Sequence, residues 1–359
     1  MQSVAAFEQA LLERAPERTP QYWAETQHNL GTALQMLGTR ENSTTRIEAA
    51  IQAFRAAHLV YTRDQAPLDW ARTWNNLGNG LILLGEREAG PERLEEAVEA
   101  YGQALLERTR ERNPRDWAET HSNLGLAHLR LGERAGGTKH FENAVAALED
   151  ALLVFTREDD PFEWSGAQGN LGIALYRLGE QEKGTERLKQ AVEAFEQALL
   201  VRTRERAPGQ WATLQNSLGL ALQALGEREN DIELIERAVD LHRETLAEFK
   251  REHGPLQWAM MQNNLGNGLV RLATRAQGTK YLDEAADAYD RALIEYTRER
   301  VPMQWALTQI NRAIVTRLIG ERTRKPLLIC EALRVHLEIH GLHRDKVAHV
   351  EELAKAKCS

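Results

Sequence analysis

The sequence has 359 residues, of which 42% are hydrophobic and 27% charged, and its formal net charge is −8. No run approaches the ~18 apolar residues of a membrane-spanning helix, and the negative charge disfavours general phosphate binding. The first residues have neither the basic nor the long apolar region of a signal peptide. Two cysteines, Cys330 and Cys358, are too few for a disulfide framework, which favours a cytoplasmic location.

Seven tryptophans recur at intervals of 47 residues, and a proline precedes each of them by three positions. The tryptophans are Trp23, Trp70, Trp117, Trp164, Trp211, Trp258 and Trp305, and the prolines are Pro20, Pro67, Pro114, Pro161, Pro208, Pro255 and Pro302. Such a period is typical of an array of one repeated unit, in which each repeat contacts mainly its neighbours. A feature that occurs seven times is scaffold or a repeated binding element rather than a single active site.

Each interval predicts two helices, as residues 67–113 show. Pro67 suits the first turn of a helix, and helical spacing through Leu84 predicts a helix A of roughly 18 residues that Gly85 ends with a positive φ. After a polar connector, apolar residues from Leu94 to Leu105 predict a helix B of about 20 residues. In other repeats helix B opens at a threonine that we expect to act as N-cap: Thr138, Thr185 and Thr279.

Two motifs recur inside the helices. Helix A carries Leu-Gly, at Leu30-Gly31, Leu77-Gly78, Leu124-Gly125, Leu171-Gly172, Leu218-Gly219 and Leu265-Gly266. Helix B carries small, aromatic and small residues at spacings of four and three, as in Ala50, Phe54, Ala57; Ala97, Tyr101, Ala104; Ala191, Phe195, Ala198; and Ala285, Tyr289, Ala292.

These motifs resemble the tetratricopeptide repeat (TPR) over nearly the whole chain. The usual unit has 34 residues, so this sequence is similar to the lengthened repeats of kinesin-light-chain-like adaptors. The resemblance implies an all-α, right-handed superhelical solenoid of antiparallel helix pairs, with about 15–16 helices in this chain. It also implies a non-catalytic scaffold that binds a peptide or protein segment in a concave groove lined by helix A.

The ends of the array depart from the pattern. Residues 1–19 predict a half repeat, because Ser3, Phe7 and Ala10 fall where helix B is expected without a helix A before it. It is either the remnant of a longer array or an N-terminal cap. Residues 20–322 are the tandem repeats, and residues 323–359 predict a degenerate last helix B followed by a polar capping helix at about 344–357.

A polar residue stands six positions after each tryptophan, where asparagine has a poor helix propensity. In the proteins that the sequence resembles, this position forms a ladder that binds the backbone of an extended peptide. An amide both donates and accepts, so it can satisfy a peptide unit of any sequence. The alternative is that each side chain bonds a neighbouring helix. The positions are Asn29, Asn76, Asn123, Asn170, Ser217, Asn264 and Asn311.

Three further positions on this face vary and are expected to set specificity. Two residues after the tryptophan stand Glu25, Arg72, Glu119, Gly166, Thr213, Met260 and Leu307; nine after it, Thr32, Asn79, Leu126, Ile173, Leu220, Asn267 and Ile314; and thirteen after it, Met36, Leu83, Arg130, Arg177, Ala224, Arg271 and Leu318. Arg72, Arg130, Arg177 and Arg271 suit an acidic partner, because guanidinium binds carboxylates in a bidentate manner. The alternative is that these arginines are only solvated.

No catalytic set, metal site or cofactor motif stands out. His336, His340 and His343 could share a metal, but His336 occupies the aromatic slot of helix B, as His242 does in another repeat, so packing explains it. Residues 132–139 lack the order and preceding strand of a phosphate loop. The alternatives to peptide binding are head-to-tail self-association through the chain ends and nucleic-acid reading by helical repeats. The negative charge disfavours nucleic acid, and no membrane partner or enzyme activity is expected.

Overall fold

The computed structural model describes residues 2–340, and every regular element in that range is helical. The α-helices are α1 Gln2–Glu13, α2 Pro20–Arg40, α3 Thr44–Ala57, α4 Pro67–Gly85, α5 Glu92–Ala104, α6 Pro114–Ala135, α7 Lys139–Leu152, α8 Pro161–Gln181, α9 Glu186–Leu199, α10 Pro208–Glu229, α11 Ile232–Glu248, α12 Pro255–Arg275, α13 Lys280–Ala292, α14 Pro302–Thr323 and α15 Pro326–His340. A 3₁₀ turn, Arg251–His253, precedes α12. The predicted all-α repeat fold is confirmed.

Helices A and B alternate along the chain with the predicted phase. The even-numbered helices α2 to α14 are helices A, and each begins at its predicted proline. Each packs most extensively against the helix B that follows it, and α1 packs on α2 as a helix B without its own helix A. The seven pairs are called repeats 1 to 7. The predicted capping helix falls outside the described residues.

Three local expectations are wrong. Helix B is usually shorter than predicted: α5 ends at Ala104, after which the chain tightens into turns that lead to the next helix A. Thr138, Thr185 and Thr279 hold the N-cap position, but they do not act as side-chain caps. Their backbones have helical φ and ψ values, and their hydroxyl groups make no cap hydrogen bond. Gly85 does not have a positive φ. A Cβ there would lie 2.9 Å from Leu94, so close approach of helix B requires the glycine.

The Leu-Gly glycines permit the closest contact between helices A and B. A Cβ on Gly78 would lie 2.6 Å from the Tyr101 ring, and one on Gly172 would lie 2.7 Å from Phe195. Tyr101 and Phe195 are fully buried aromatic residues of the helix B triplet. The two motifs therefore form one contact, in which an aromatic ring fills the space above a glycine.

The tryptophans form small apolar clusters where one helix B leads to the next helix A. Trp23 and Trp70, from successive repeats, pack around Ala57 and Tyr61, and Trp117 and Trp164 do the same around Phe155. Each tryptophan is half-buried. The recurring Trp is thus a packing residue that links neighbouring repeats.

The chain divides into two compact units, Met1–Val201 and Arg202–Ser359. The first holds α1 to α9 with a core that includes Phe54, Leu81 and Tyr101, and the second has a core around Val239, Leu269 and Tyr289. The regular 47-residue period gives no sign of this division. Among the helices of the described range, none is long and apolar enough to cross a membrane.

Candidate protein-binding face of the A helices

Within each compact unit, successive A helices lie against one another. Helices α2, α4, α6 and α8 make such contacts in the first unit, and α10, α12 and α14 make them in the second. Among the described helices, no pair of B helices makes comparable contact, because a helix B that another helix A follows in the same unit packs between the two A helices. The A helices therefore lie on the inner side of each unit.

The predicted ladder and specificity positions lie together on this inner side. They are the residues two, six, nine and thirteen positions after each tryptophan, which we call the inner stripe. All of them are half-buried or exposed except Asn264, whereas the flanking positions three and fourteen after the tryptophan are largely buried. Each helix A thus presents one accessible row, because spacings of four, three and four keep side chains on one helix face.

Four of the predicted ladder residues bond the preceding helix A. The side-chain amide of Asn123 donates to Asn75 Oδ1 at 3.4 Å, and that of Asn264 donates to Asn216 Oδ1 at 2.9 Å. Asn76 lies 3.3 Å from His28 Nε2, and Asn311 donates to Asn267 Oδ1 at 3.3 Å. These contacts are the interhelical bonds that the sequence left as an alternative to peptide binding.

The remaining ladder positions are different. The side chains of Asn29, Asn170 and Ser217 make no hydrogen bond within the described part of the chain, and all three are half-buried. Asn29 also lines a cavity of about 470 Å³ between α1 and α2, with Phe7, Ala33 and Met36 among its walls. Asn29 and Asn170 therefore keep donors and an acceptor for a ligand.

A buried polar seam joins the A helices beneath the inner stripe, and sequence reasoning missed it. Thr120 donates to Asn75 Oδ1 at 3.1 Å, and Thr308 donates to Asn263 Oδ1 at 3.1 Å. The threonine lies three positions after its tryptophan and the asparagine five positions after the preceding one. That recurring Thr and Asn pair is the signal that could have revealed the seam.

His28 holds the place of the seam asparagine in repeat 1. Burial, aided by the charge of Arg72, lowers the pKa of His28 to about 4, so the ring is neutral at neutral pH. Because Asn76 offers its N–H to Nε2, Nδ1 carries the proton and donates to Thr73 Oγ1 at 2.9 Å. Thr73 in turn donates to the Asp69 carbonyl at 2.7 Å, which completes the chain.

The predicted binding arginines are all ion-paired. Arg130 contacts Glu86, which directly follows the preceding helix A, at 2.8 Å and Glu133 of its own helix at 3.0 Å. Burial alone would lower the pKa of the Arg130 guanidinium, but Glu133 and Glu86 raise it above its ordinary value. Arg177 bonds Glu180 at 3.0 Å, with Glu133 at 3.6 Å.

The same pairing holds at the other two arginines. Arg271 pairs with Glu227, and Arg72 pairs with Asp69 at 2.7 Å. These arginines are therefore not merely solvated, and a carboxylate ligand would compete with carboxylates that are already present.

Comparison with known proteins agrees with this architecture. A family model described as tetratricopeptide repeat matches residues 211–253, which belong to repeat 5. The apo form of RapI is similar in structure, with 14% identity, a TM-score of 0.57 and coverage of 92% of this chain and 82% of that one.

Two further solved structures are similar to the chain. A signal-transduction ATPase with numerous domains and a TPR sensor, from Pyrococcus horikoshii, has 13% identity and a TM-score of 0.51 over 99% of this chain and 52% of that one. A thermophilic TPR protein from Thermus thermophilus has 20% identity and a TM-score of 0.40 over 66% and 98%. No curated protein matches the sequence.

The matched segment contains one Trp, one Leu-Gly and one helix B, and repeats 1 to 4 and 6 carry the Trp and the Leu-Gly in the same phase. Repeat 7 keeps the Trp but has Arg312-Ala313 in place of Leu-Gly. With the helix pairing described above, the chain is a helical repeat protein with a 47-residue period, and one of its repeats matches the tetratricopeptide-repeat model.

Proposed function

We propose that the protein is a non-catalytic adaptor that binds an extended segment of a partner protein along the inner stripe of its first compact unit. The TPR is generally a fold for protein interaction. The observation that carries the proposal is the accessible row of inner-stripe residues on α2, α4, α6 and α8. These helices bring Asn29, Asn76, Asn123 and Asn170 onto one surface.

Hydrogen-bonding capacity favours the two ends of this surface. Asn29 and Asn170 have amides without a side-chain partner in the described residues, whereas the amide nitrogens of Asn76 and Asn123 are already directed at the preceding helix. A bound segment would therefore receive its strongest backbone bonds from α2 and α8. The central asparagines would offer only their remaining N–H or Oδ1.

Apolar inner-stripe residues supply the second part of the surface. Leu83, Leu126 and Ile173 are half-buried, and Met36 is 70% exposed beside the cavity that Asn29 lines. Apolar walls with a few convergent polar groups are typical of binding sites. A segment with an apolar side chain directed into this cavity fits the arrangement.

Charge gives less support to an acidic partner. Glu86, Arg130, Glu133, Arg177 and Glu180 form a row of alternating charges along the inner side of α4, α6 and α8. An acidic side chain must displace one of these glutamates, and the interaction of an exposed pair is worth only about 0.2–1 kcal/mol. The row therefore selects a position for a carboxylate without demanding a strongly acidic segment.

A comparison of variants in a lysate of the source organism tests the proposal. The double variant Asn29→Ala/Asn170→Ala removes the two unpartnered amides and leaves the interhelical bonds intact. We expect a partner that the native protein retains to be lost by this variant. It should be kept by a matched control with Ala146→Gln, an exposed position on α7. Equal retention by all three proteins would refute binding along the inner stripe.

The alternative function, head-to-tail self-association, gives a different result. If the protein self-associates, its mass in solution would rise with concentration, and the inner-stripe variant would assemble like the native protein. A constant monomer mass together with partner loss in the variant supports the adaptor.

A further inference from the structure

Two histidines in repeat 3 face each other across its helix pair. His128 lies on α6 and His140 lies at the start of α7, and their Nδ1 atoms are 3.4 Å apart. The ring centroids are 5.6 Å apart, with 36° between the ring planes. Both residues are half-buried.

His128 and His140 both differ from the residues that most other repeats have at the equivalent positions, and both differences occur in the same repeat. The position of His128 holds leucine in five other repeats, namely Leu34, Leu81, Leu175, Leu222 and Leu269. The position of His140 holds arginine in three, namely Arg46, Arg93 and Arg187. Leucine at the first position is compatible with the fold, so packing does not require histidine there. Departures from a local rule at two touching positions are expected at functional or strained sites.

The separation of the nitrogens suits a shared metal ion. Imidazole nitrogens bind zinc at about 2.0–2.1 Å in a tetrahedral arrangement, which places two such nitrogens about 3.4 Å apart. The separation of the two Nδ1 atoms therefore matches that of two ligands of one ion. Imidazole suits Zn²⁺, Cu²⁺ and Ni²⁺ among the divalent metals.

An imidazole nitrogen that carries no proton has a lone pair available for a metal, so the Nδ1 atoms of both histidines can act as ligands. No cluster of three or more His, Cys, Asp or Glu residues able to hold a metal occurs in the described range, so two protein ligands are available here.

We propose that His128 and His140 bind one divalent transition-metal ion of the class that prefers imidazole, with water completing its coordination. The ion would join helices A and B of repeat 3 near the polar connector between them. With two protein ligands, the site would be weaker and more exchangeable than a four-ligand structural zinc site. An N–H···N hydrogen bond between the rings is the competing explanation of the 3.4 Å distance.

Calorimetric titration of the tag-free full chain with NiCl₂, and separately with ZnCl₂, distinguishes the two explanations. The variants His128→Leu and His140→Arg each install the residue found in sister repeats, so both are expected to fold. His253→Gln is the matched control, because His253 is an exposed histidine elsewhere in the chain.

We expect one binding event in the native protein and in the control, and at least a tenfold loss of affinity in each of the two test variants. Circular dichroism of all four proteins establishes that they are folded. Absence of binding in the native protein at about 1 mM metal, where even a weak site would be occupied, would overturn the proposal. Binding that both test variants retain would also overturn it, because the ion would then lie elsewhere.

Discussion

Asn264 and Asn170 occupy the same ladder position in different repeats, but their surroundings differ. Asn264 is 8% exposed, and its amide donates to Asn216 Oδ1 at 2.9 Å. Asn216 is itself only 3% exposed. Asn170 is half-buried and makes no side-chain hydrogen bond in the described residues. Alanine at the two sites therefore tests whether the ladder is structural at one place and available for a ligand at another.

The expected magnitudes follow from these contacts. Asn264→Ala leaves the buried Asn216 acceptor without its donor, which costs about 1–3 kcal/mol. Alanine regains up to about 0.7 kcal/mol of helix propensity, so the net loss in the free energy of unfolding lies between about 0.3 and 3 kcal/mol. Asn170→Ala loses no such bond, and the propensity gain predicts a change between zero and about 0.7 kcal/mol in favour of the fold.

Urea unfolding of the full chain, followed by circular dichroism, measures both changes. Hydrogen exchange of α12 amides adds a local measure, because repeat proteins open in parts. The reasoning predicts a lower unfolding midpoint and faster α12 exchange for Asn264→Ala alone. Equal midpoints for the two variants would refute the structural role assigned to Asn264.

Two further predictions concern packing and pH. Gly172→Ala should destabilise the fold by about 1–3 kcal/mol in urea unfolding, because its Cβ would meet Phe195. Gly102→Ala, at an exposed helical site where nothing lies near an added Cβ, should stabilise the fold by about 0.5–1 kcal/mol. A change in the free energy of unfolding with the same sign in both variants would contradict this reasoning. Burial lowers the pKa of His242 to about 4. The unfolded chain therefore binds the extra proton, and stability falls as pH drops from about 6.5 towards 4. Urea midpoints of His242→Phe should fall less over that window, and an unchanged pH dependence would contradict this.

Much of the fold could be predicted because its determinants recur with the chain's own period. Pro67 and its equivalents predicted the start of each helix A. The spacings of three and four residues predicted that Asn123, Leu126 and Arg130 share one accessible face. The inner stripe was therefore predictable as a surface. What it binds was implied only by the family resemblance.

The partners of the inner-stripe residues could not be read from one repeat alone. Arg130 pairs with Glu86, which lies 44 residues earlier at the end of another helix. Thr120 and Asn123 meet at the Asn75 side chain, which belongs to the preceding repeat. These contacts depend on the distance between successive A helices. A helical period within one repeat carries no information about that distance.

Gly85 illustrates a second limit. A glycine at the end of a helical pattern favours a positive φ, but here helix B approaches so closely that Leu94 occupies the space of a Cβ. Sequence reasoning chose the local explanation, and tertiary packing supplied the actual one.

Site-specific photo-crosslinking tests the adaptor account most directly. A photoreactive amino acid is placed at Leu126 or Ile173 of the inner stripe, and at the exposed positions Ala146 of α7 and Glu193 of α9 as controls. The account predicts that both inner-stripe positions crosslink to neighbouring residues of one segment in a common partner, and that the helix B positions do not. Crosslinks to that partner from Ala146 and Glu193, with none from Leu126 or Ile173, would contradict the claim that the A helices form the binding face.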